Sequence, residues 1–371
     1  MRLFHLSDTH LGYSEYGKID SRTGLNQREQ DFYEAWNQVV EAAIVHRPEV
    51  VVHAGDLFHT SRPTNRAIRV ALEGIQRMIE AGIELVMVSG NHSTPRVAAT
   101  GSIFETIALF PRVHTAYSGR YERFTIGEVD FHCVPHCALS EELQAAFQAI
   151  SFRPGARRNV LVTHGAWSSG QTYSMGEFNE QRIPDVEVVL GLSFDYIALG
   201  HYHRPICIKP HVHYCGATER TSLNEWNNET GYLIVDLESG EQEYVPIASR
   251  PMVRLPVLDC ATFQADEIYE RLAELSSKVL EGAVVGLTLT NLHHHTLLAL
   301  DVRKIDDLFP QAFHLDRQFI EMPPEGGEAS AATAIEALPV EFERYVERLD
   351  DPVVDKERLR QLGHRYLAPE A

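Results

Sequence analysis

Val50-Val51-Val52-His53-Ala54-Gly55-Asp56-Leu57-Phe58-His59 holds the decisive pattern in ten residues. Three consecutive valines suit a β-strand covered on both faces, as in the sheets of layered α/β proteins. The run breaks at a glycine that permits a tight turn, and the turn delivers an aspartate and then a histidine. Open α/β sheets place their chemistry at such strand ends.

The same grammar recurs on either side. The apolar strand expected over Arg2–Leu6 ends in Asp8-Thr9-His10, and that over Glu84–Val88 ends in Gly90-Asn91-His92. Val160–Thr163 runs into His164-Gly165, and Tyr196–Leu199 into Gly200-His201-Tyr202-His203. Helical spacing separates the early strands. Phe32, Trp36, Val39, Val40 and Ala43 mark one face over Arg28–Val45, and Ile68, Ala71, Leu72 and Ile75 mark another between a Thr64 cap and Ala81. A third helix is expected near Ala98–Phe110, a hairpin over Tyr121–Thr125 and Val129–Val134, and a helix near Glu141–Ile150. Further strands are expected at Ile206–Ile208, His213–Cys215 and Tyr232–Val235. This alternation predicts an α/β sandwich of more than one sheet, flanked by helices, over residues 1–250.

Beyond Pro251 the character shifts. Val253–Val257, a helix around Ala265–Leu280, Val284–Leu289 and Leu297–Val302 read as a small α+β domain over 251–321. Pro- and Gly-rich residues 322–334 read as a linker, and 335–371 as a charged helical tail with Phe342, Tyr345, Val346 and Leu349 at helical spacing. An amphipathic helix beyond a linker suits docking on a partner.

Composition narrows the class. Of 371 residues, 44% are apolar and 9% aromatic, which excludes wholesale disorder. The start Met1–Asp8 turns polar too soon for a signal peptide, so a soluble, cytoplasmic protein without a membrane partner is expected. The five cysteines contain no C-x-x-C pair, which argues against a zinc ribbon; Cys133 and Cys137 read as buried thiols. The formal net charge of −19 argues against unguided DNA coating. It is uneven, however: residues 1–120 carry 12 basic and 13 acidic side chains, so the excess lies in 121–371.

Asp8, His10, Asp56, Asn91, His164, His201 and His203 are seven oxygen and nitrogen donors without a thiolate. That set suits Mn²⁺, Fe²⁺ or Zn²⁺ in a reactive site and does not suggest structural zinc. Seven are too many for one ion and enough for two that share a bridging carboxylate, the arrangement for displacement at phosphorus. His92 is left over beside Asn91, placed to assist a phosphate or protonate a leaving oxygen. Two other features read as bland. Gly12–Ile19 nearly spells a phosphate-binding loop but lacks its Ser or Thr, and His293-His294-His295 read as exposed imidazoles.

These ordered motifs resemble the calcineurin-like metallophosphoesterases. More narrowly, His10-Leu11-Gly12-Tyr13, Ala54–His59 running into Ser61-Arg62-Pro63, and Gly216–Ser222 resemble the SbcD-type DNA-repair nucleases, strongly over about 1–250. The resemblance implies Asp8, His10, Asp56 and His203 on one manganese, and Asp56, Asn91, His164 and His201 on the other. It implies His92 as the phosphate-side catalytic histidine and His59 as the residue that positions a DNA end. It also implies a homodimer, a DNA-capping role for 251–321, and a tail that grips an SbcC-like coiled-coil ATPase. Ser93 stands where the family usually carries an acid that orients the neighbouring histidine.

The expected function is therefore a Mn²⁺-dependent exonuclease with endonuclease activity on double- and single-stranded DNA ends, in double-strand-break repair near the nucleoid. Two alternatives compete: a phosphoesterase for small nucleotides or other phosphoesters, and a silent scaffold. The Arg62–Arg69 stretch, the Tyr13–Arg28 insertion, the cap and the tail favour DNA; the retained ligands disfavour the scaffold.

Overall fold

The computed structural model describes residues 1–95, 101–168, 181–323, 338–348 and 356–367. Two six-stranded sheets face each other. The first runs in the order Gln242–Pro246, Gly231–Asp236, Arg2–Leu6, Val50–His53, Glu84–Val88, Val113–Ala116. The second runs Ile206–Lys209, Val212–Tyr214, Tyr196–Gly200, Arg158–His164, Val129–Val134, Glu122–Ile126.

The valine run explains the layering. Val50 and Val52 point between the sheets, among Val86, Val88, Phe131, Val160 and Val162. Val51 points the other way, toward Trp36, Val39 and Ile75 of the two covering helices, Gln27–His46 and Asn65–Glu80. Alternate side chains of one strand thus fill two cores, which is why the run is apolar throughout. Asn26 and Thr64 start the two helices by accepting backbone N–H bonds through their side chains. The outer face of the second sheet packs Leu161, Ile197 and Leu199 against Phe147 and Trp167.

Register decides where the strands stop. Leu6 pairs with His53, His53 with Met87, and in the second sheet Gly200 pairs with His164. The loops after these strands therefore leave from one edge of the sandwich. The sheets are tied there by His5, whose ring meets the Tyr196 hydroxyl at 2.9 Å and the Leu199 carbonyl at 3.1 Å.

Residues 252–321 build a separate parallel sheet. Val284–Leu292 pairs along its length with His314–Glu321, and successive stretches of it pair with Met252–Arg254 and Leu258–Asp259. Ile268, Leu272, Leu287, Leu289 and Ile305 form its own core. One expectation is corrected here. Leu297–Val302 is not a strand but the end of the helix His294–Ala299 and the start of Val302–Asp307, the latter capped by Asp301 onto the Arg303 N–H. Its leucines and alanine are good helix formers, and an Asp cap ends the extended run.

The helix expected near Ala98–Phe110 is reduced to Phe104–Ile107, with 96–100 outside the described residues. Most of the expected linker, 324–334, also lies outside them. Within the tail, the helices Leu338–Arg348 and Lys356–Leu367 meet. A Cβ on Gly363 would lie 2.0 Å from the Phe342 ring, and Arg360 pairs with Glu343 at 3.0 Å. Tyr345 is exposed, off the expected apolar face, and Leu349 lies outside the described residues. Among the described residues, no helix is long and apolar enough to cross a membrane.

Candidate metal centre

The first two strand-end loops are zipped together. Asp8 N–H donates to the Gly55 carbonyl at 3.0 Å, His10 N–H to Asp56 at 3.0 Å, and Leu11 N–H to Leu57 at 2.9 Å. Asp8, His10, Asp56 and His201 all sit at positive φ (52°, 42°, 55° and 112°), where a side chain crowds its own backbone. Such strain persists only where surrounding bonds over-determine it, and it clusters at functional sites. Four of the seven candidate ligands share it.

One side of the centre joins Asp8, His10 and His203, whose ligand atoms lie within 4.8 Å of one another. His10 Nε2 is 3.0 Å from His203 Nε2. His203 Nδ1–H donates to Glu225 Oε1 at 2.8 Å, which turns its Nε2 toward His10 and Asp8. Burial opposes charge on His203, but Glu225 outweighs it and raises the imidazole to about 9. Burial and His203 push His10 well below its ordinary value. Asp8 is fully buried, and its carboxylate accepts the His201 N–H at 3.0 Å.

The other side joins Asp8, Asp56 and His164. His164 Nδ1–H donates to the Ala54 carbonyl at 2.9 Å, so its Nε2 faces Asn91 Oδ1 at 2.8 Å and Asp56 Oδ2 at 3.3 Å. Burial opposes the charge on this ring too, yet Asp56 raises it to about 9. A nitrogen lone pair and two oxygens converging at these distances repel unless a proton or a cation lies among them. The His201 ring stands 5.4 Å from that of His164, at 76°. These are the donor types, burial and facing lone pairs that divalent ions require, so the residues fit two such ions. They do not by themselves select manganese.

His59 and His92 form a shelf beside His10. Their rings stack 5.1 Å apart at 26°, and His92 lies 4.8 Å from the His10 ring. His92 N–H donates to Asp56 at 3.0 Å, and His92 Nδ1–H donates to the His59 carbonyl at 2.9 Å. That carbonyl orients His92 without help from residue 93. Ser93 is fully buried, its hydroxyl 3.5 Å from the Phe58 carbonyl. Burial and then His92 lower His59 to about 4, so it is neutral at physiological pH.

Sequence reading overlooked Glu225. It sits on the one-turn 3₁₀ helix Leu223–Glu225, three residues beyond the Gly216–Ser222 motif, with no periodicity to mark it. A carboxylate shortly after that motif was the available signal. Glu219 was also passed over as a charge partner. Fully buried Arg28 pairs with Asp31 at 2.6 Å and with Glu219 at 3.5 Å, so Arg28 is internal rather than a surface cation. Arg66 pairs with Glu29 at 3.2 Å and Arg69 with Glu73 at 2.8 Å. The Arg62–Arg69 stretch therefore supplies less free positive charge than its composition suggests.

Four further histidines have partners outside the centre. His211 pairs with Glu187 at 2.9 Å, and His213 bonds the Pro210 carbonyl at 3.1 Å. His293 bonds the Ala261 carbonyl and His294 pairs with Glu321. Cys133 and Cys137 are buried free thiols.

Comparison with known proteins identifies the family. Residues 1–205 match the calcineurin-like phosphoesterase family. The chain is 29% identical to the DNA double-strand break repair protein Mre11 of Thermoplasma acidophilum over 321 residues, covering 82% of this chain and 80% of that one. It is 30% identical to the Mre11 protein of Haloferax volcanii over 294 residues, covering 76% and 60%. Against the SbcD component of the SbcCD nuclease of Staphylococcus saprophyticus, identity is 26% over 281 residues, covering 70% and 72%. With a family match over more than half of its length and the acid, imidazole and amide donors gathered at one sandwich edge, the chain belongs to the calcineurin-like phosphoesterase family, the metal-dependent hydrolases of phosphoesters.

Proposed function

We propose that this protein is a Mn²⁺-dependent nuclease that processes double- and single-stranded DNA ends in double-strand-break repair, exonucleolytically and endonucleolytically. It works in the cytoplasm near the nucleoid, as a homodimer joined to an SbcC-like coiled-coil ATPase. The observation that carries the reading is the His59–His92 shelf set against a buried two-sided donor cluster. The names of the Mre11 and SbcCD relatives support DNA as the substrate.

Asp8, His10, Asp56 and His203 would hold one ion; Asp56, Asn91, His164 and His201 would hold the other. Bound there, divalent ions supply Lewis acidity, lowering the pKa of water and neutralising phosphate charge. The chain's own residues do the rest. The His59 carbonyl fixes the His92 proton on Nδ1 in the neutral ring, so Nε2 is the atom that meets phosphate. When protonated, His92 gives that Nε2 proton to the leaving alkoxide. The neutral His59 ring extends the shelf and positions the terminal nucleotide. Residues 251–321 cap the bound DNA, and the tail helices after residue 335 dock the ATPase.

Internal pairing of Arg66 and Arg69, with a net charge of −19, fits weak, salt-sensitive DNA binding by the chain alone. The same pairing favours the second reading, a phosphoesterase for small nucleotides or other phosphoesters. Turnover of linear duplex, single strand and p-nitrophenyl phosphate esters, measured side by side with Mn²⁺, separates them. The nuclease reading expects DNA to be preferred, and fails if only the small esters turn over.

A further inference from the structure

The short turn Leu223–Glu225 faces two ways. At one end, Glu225 accepts the His203 Nδ1–H at 2.8 Å, the Thr221 N–H at 2.7 Å and the Thr221 hydroxyl at 2.8 Å. Both carboxylate oxygens are therefore fixed, and His203 has one orientation in which its Nδ1 is satisfied. At the other end, Leu223 turns toward the 252–321 unit. It packs in a small cluster with Met252, Val284 and Phe313 of the 252–321 unit. Arg254 of that unit donates through Nε to the Leu223 carbonyl at 3.1 Å and through a terminal nitrogen to Asn224 Oδ1 at 2.8 Å.

We propose that Glu225 is the positioning residue for His203, and that the seat of the 252–321 unit on this turn tunes how tightly the Asp8–His10–His203 side holds its ion. The inference rests on the two-ion reading of the site and adds a direction to it. A carboxylate that accepts the second N–H of a ligating imidazole fixes its tautomer and raises its basicity, and losing such a partner typically costs about 10–100-fold in metal affinity. The opposite side has a separate support. His164 is oriented by the Ala54 carbonyl, with no bond from the turn to His164 among the described residues. A displacement of the cap that shifted Leu223 and Asn224 would therefore loosen one ion and spare the other. Leu223 and Asn224, which meet the cap, and Glu225, which meets the centre, are consecutive residues of this turn.

The test is calorimetric titration of the full-length, metal-stripped chain with Mn²⁺, with thermal melting in chelator as a check on folding. Wild type is expected to take up two ions. Glu225→Gln keeps the shape and removes the charge; it is expected to weaken one ion about 10–100-fold and leave the other within about twofold. Arg254→Ala, outside the centre, is expected to weaken that same ion by a smaller factor. Wild-type binding of both ions by Glu225→Gln, or equal weakening of both, overturns the positioning role. Should Glu225→Gln fail to fold, Arg254→Ala decides alone: an unchanged titration overturns the link to the cap. A wild type that takes up no Mn²⁺ overturns the two-ion reading itself.

Discussion

Gly55→Ala is the substitution whose consequence the structure determines most fully. Gly55 sits at φ +104°, and a Cβ there would lie 2.1 Å from His164 Nδ1 and 2.6 Å from its Cγ. Two costs add. A non-glycine residue held in that backbone region costs about 1–3 kcal/mol. The methyl must also displace the imidazole and break its 2.9 Å bond to the Ala54 carbonyl, leaving buried polar groups unpaired for about another 1–3 kcal/mol. The sum, about 2–6 kcal/mol, is a large share of a typical domain's stability. Gly127→Ala supplies the control, because Gly127 has φ +59° and nothing within 4 Å of its Cβ position, so it carries only a backbone cost of about 1–2 kcal/mol. Urea unfolding in chelator measures both, and Mn²⁺ titration reads the second effect, since His164 is a candidate ligand. Gly55→Ala should be the less stable of the two and lose the ion on the Asp56–His164 side. Equal stability for the two variants, with both ions still bound by Gly55→Ala, would refute the reasoning.

Other expectations follow from the same contacts. His92→Ala should abolish phosphodiester cleavage while Mn²⁺ uptake and melting temperature stay at wild-type values; cleavage at the wild-type rate removes His92 from the chemistry. Arg250 grips Asp31 through two nitrogens, donates to the Gly282 carbonyl at 2.9 Å and lies 4.0 Å over the Phe313 ring. Arg250→Ala should cost about 3 kcal/mol and speed proteolytic cutting between the sandwich and the 252–321 unit; an unchanged digestion pattern would contradict it. Stability should also fall with acid from a defined point. Burial lowers His5 and His53 from 6.5 to about 3, so the unfolded chain takes up protons that the folded chain refuses. Their contribution is complete above pH 6.5 and drains as pH falls toward 3, by about 1.4 kcal/mol per unit for each ring. Denaturant midpoints at pH 7.5 and 5.5, compared in the wild type and in His5→Gln, check the slope.

The parts of this molecule that could be read from sequence are those where one side chain has one burial fate. Val50, Val51 and Val52 had to be covered on both sides, and they are. Polar residues at the ends of five such strands had to leave from sheet edges, and the register brings them to one edge. Long-range pairing was not legible. Arg28 looks like a surface cation at a helix start until Glu219, 191 residues away, meets it inside the protein. Glu225 lies on a turn too short for any period, and its meaning depends on His203 being folded against it. The strands Gln242–Pro246 and His314–Glu321 went unread because each mixes charged and apolar residues, as edge strands do. Leu297–Val302 was misread because a short apolar run carries no period that separates strand from helix.

The central claim is that His92 and a two-ion centre cut DNA from its ends. The most direct measurement follows label release from an end-labelled linear duplex, beside a covalently closed circle, using metal-stripped protein before and after Mn²⁺ is added. The account predicts Mn²⁺-dependent release from the linear duplex, slower nicking of the circle, and none of either by His92→Ala. Equal attack on circle and linear duplex, or release that persists in chelator or in His92→Ala, would contradict it.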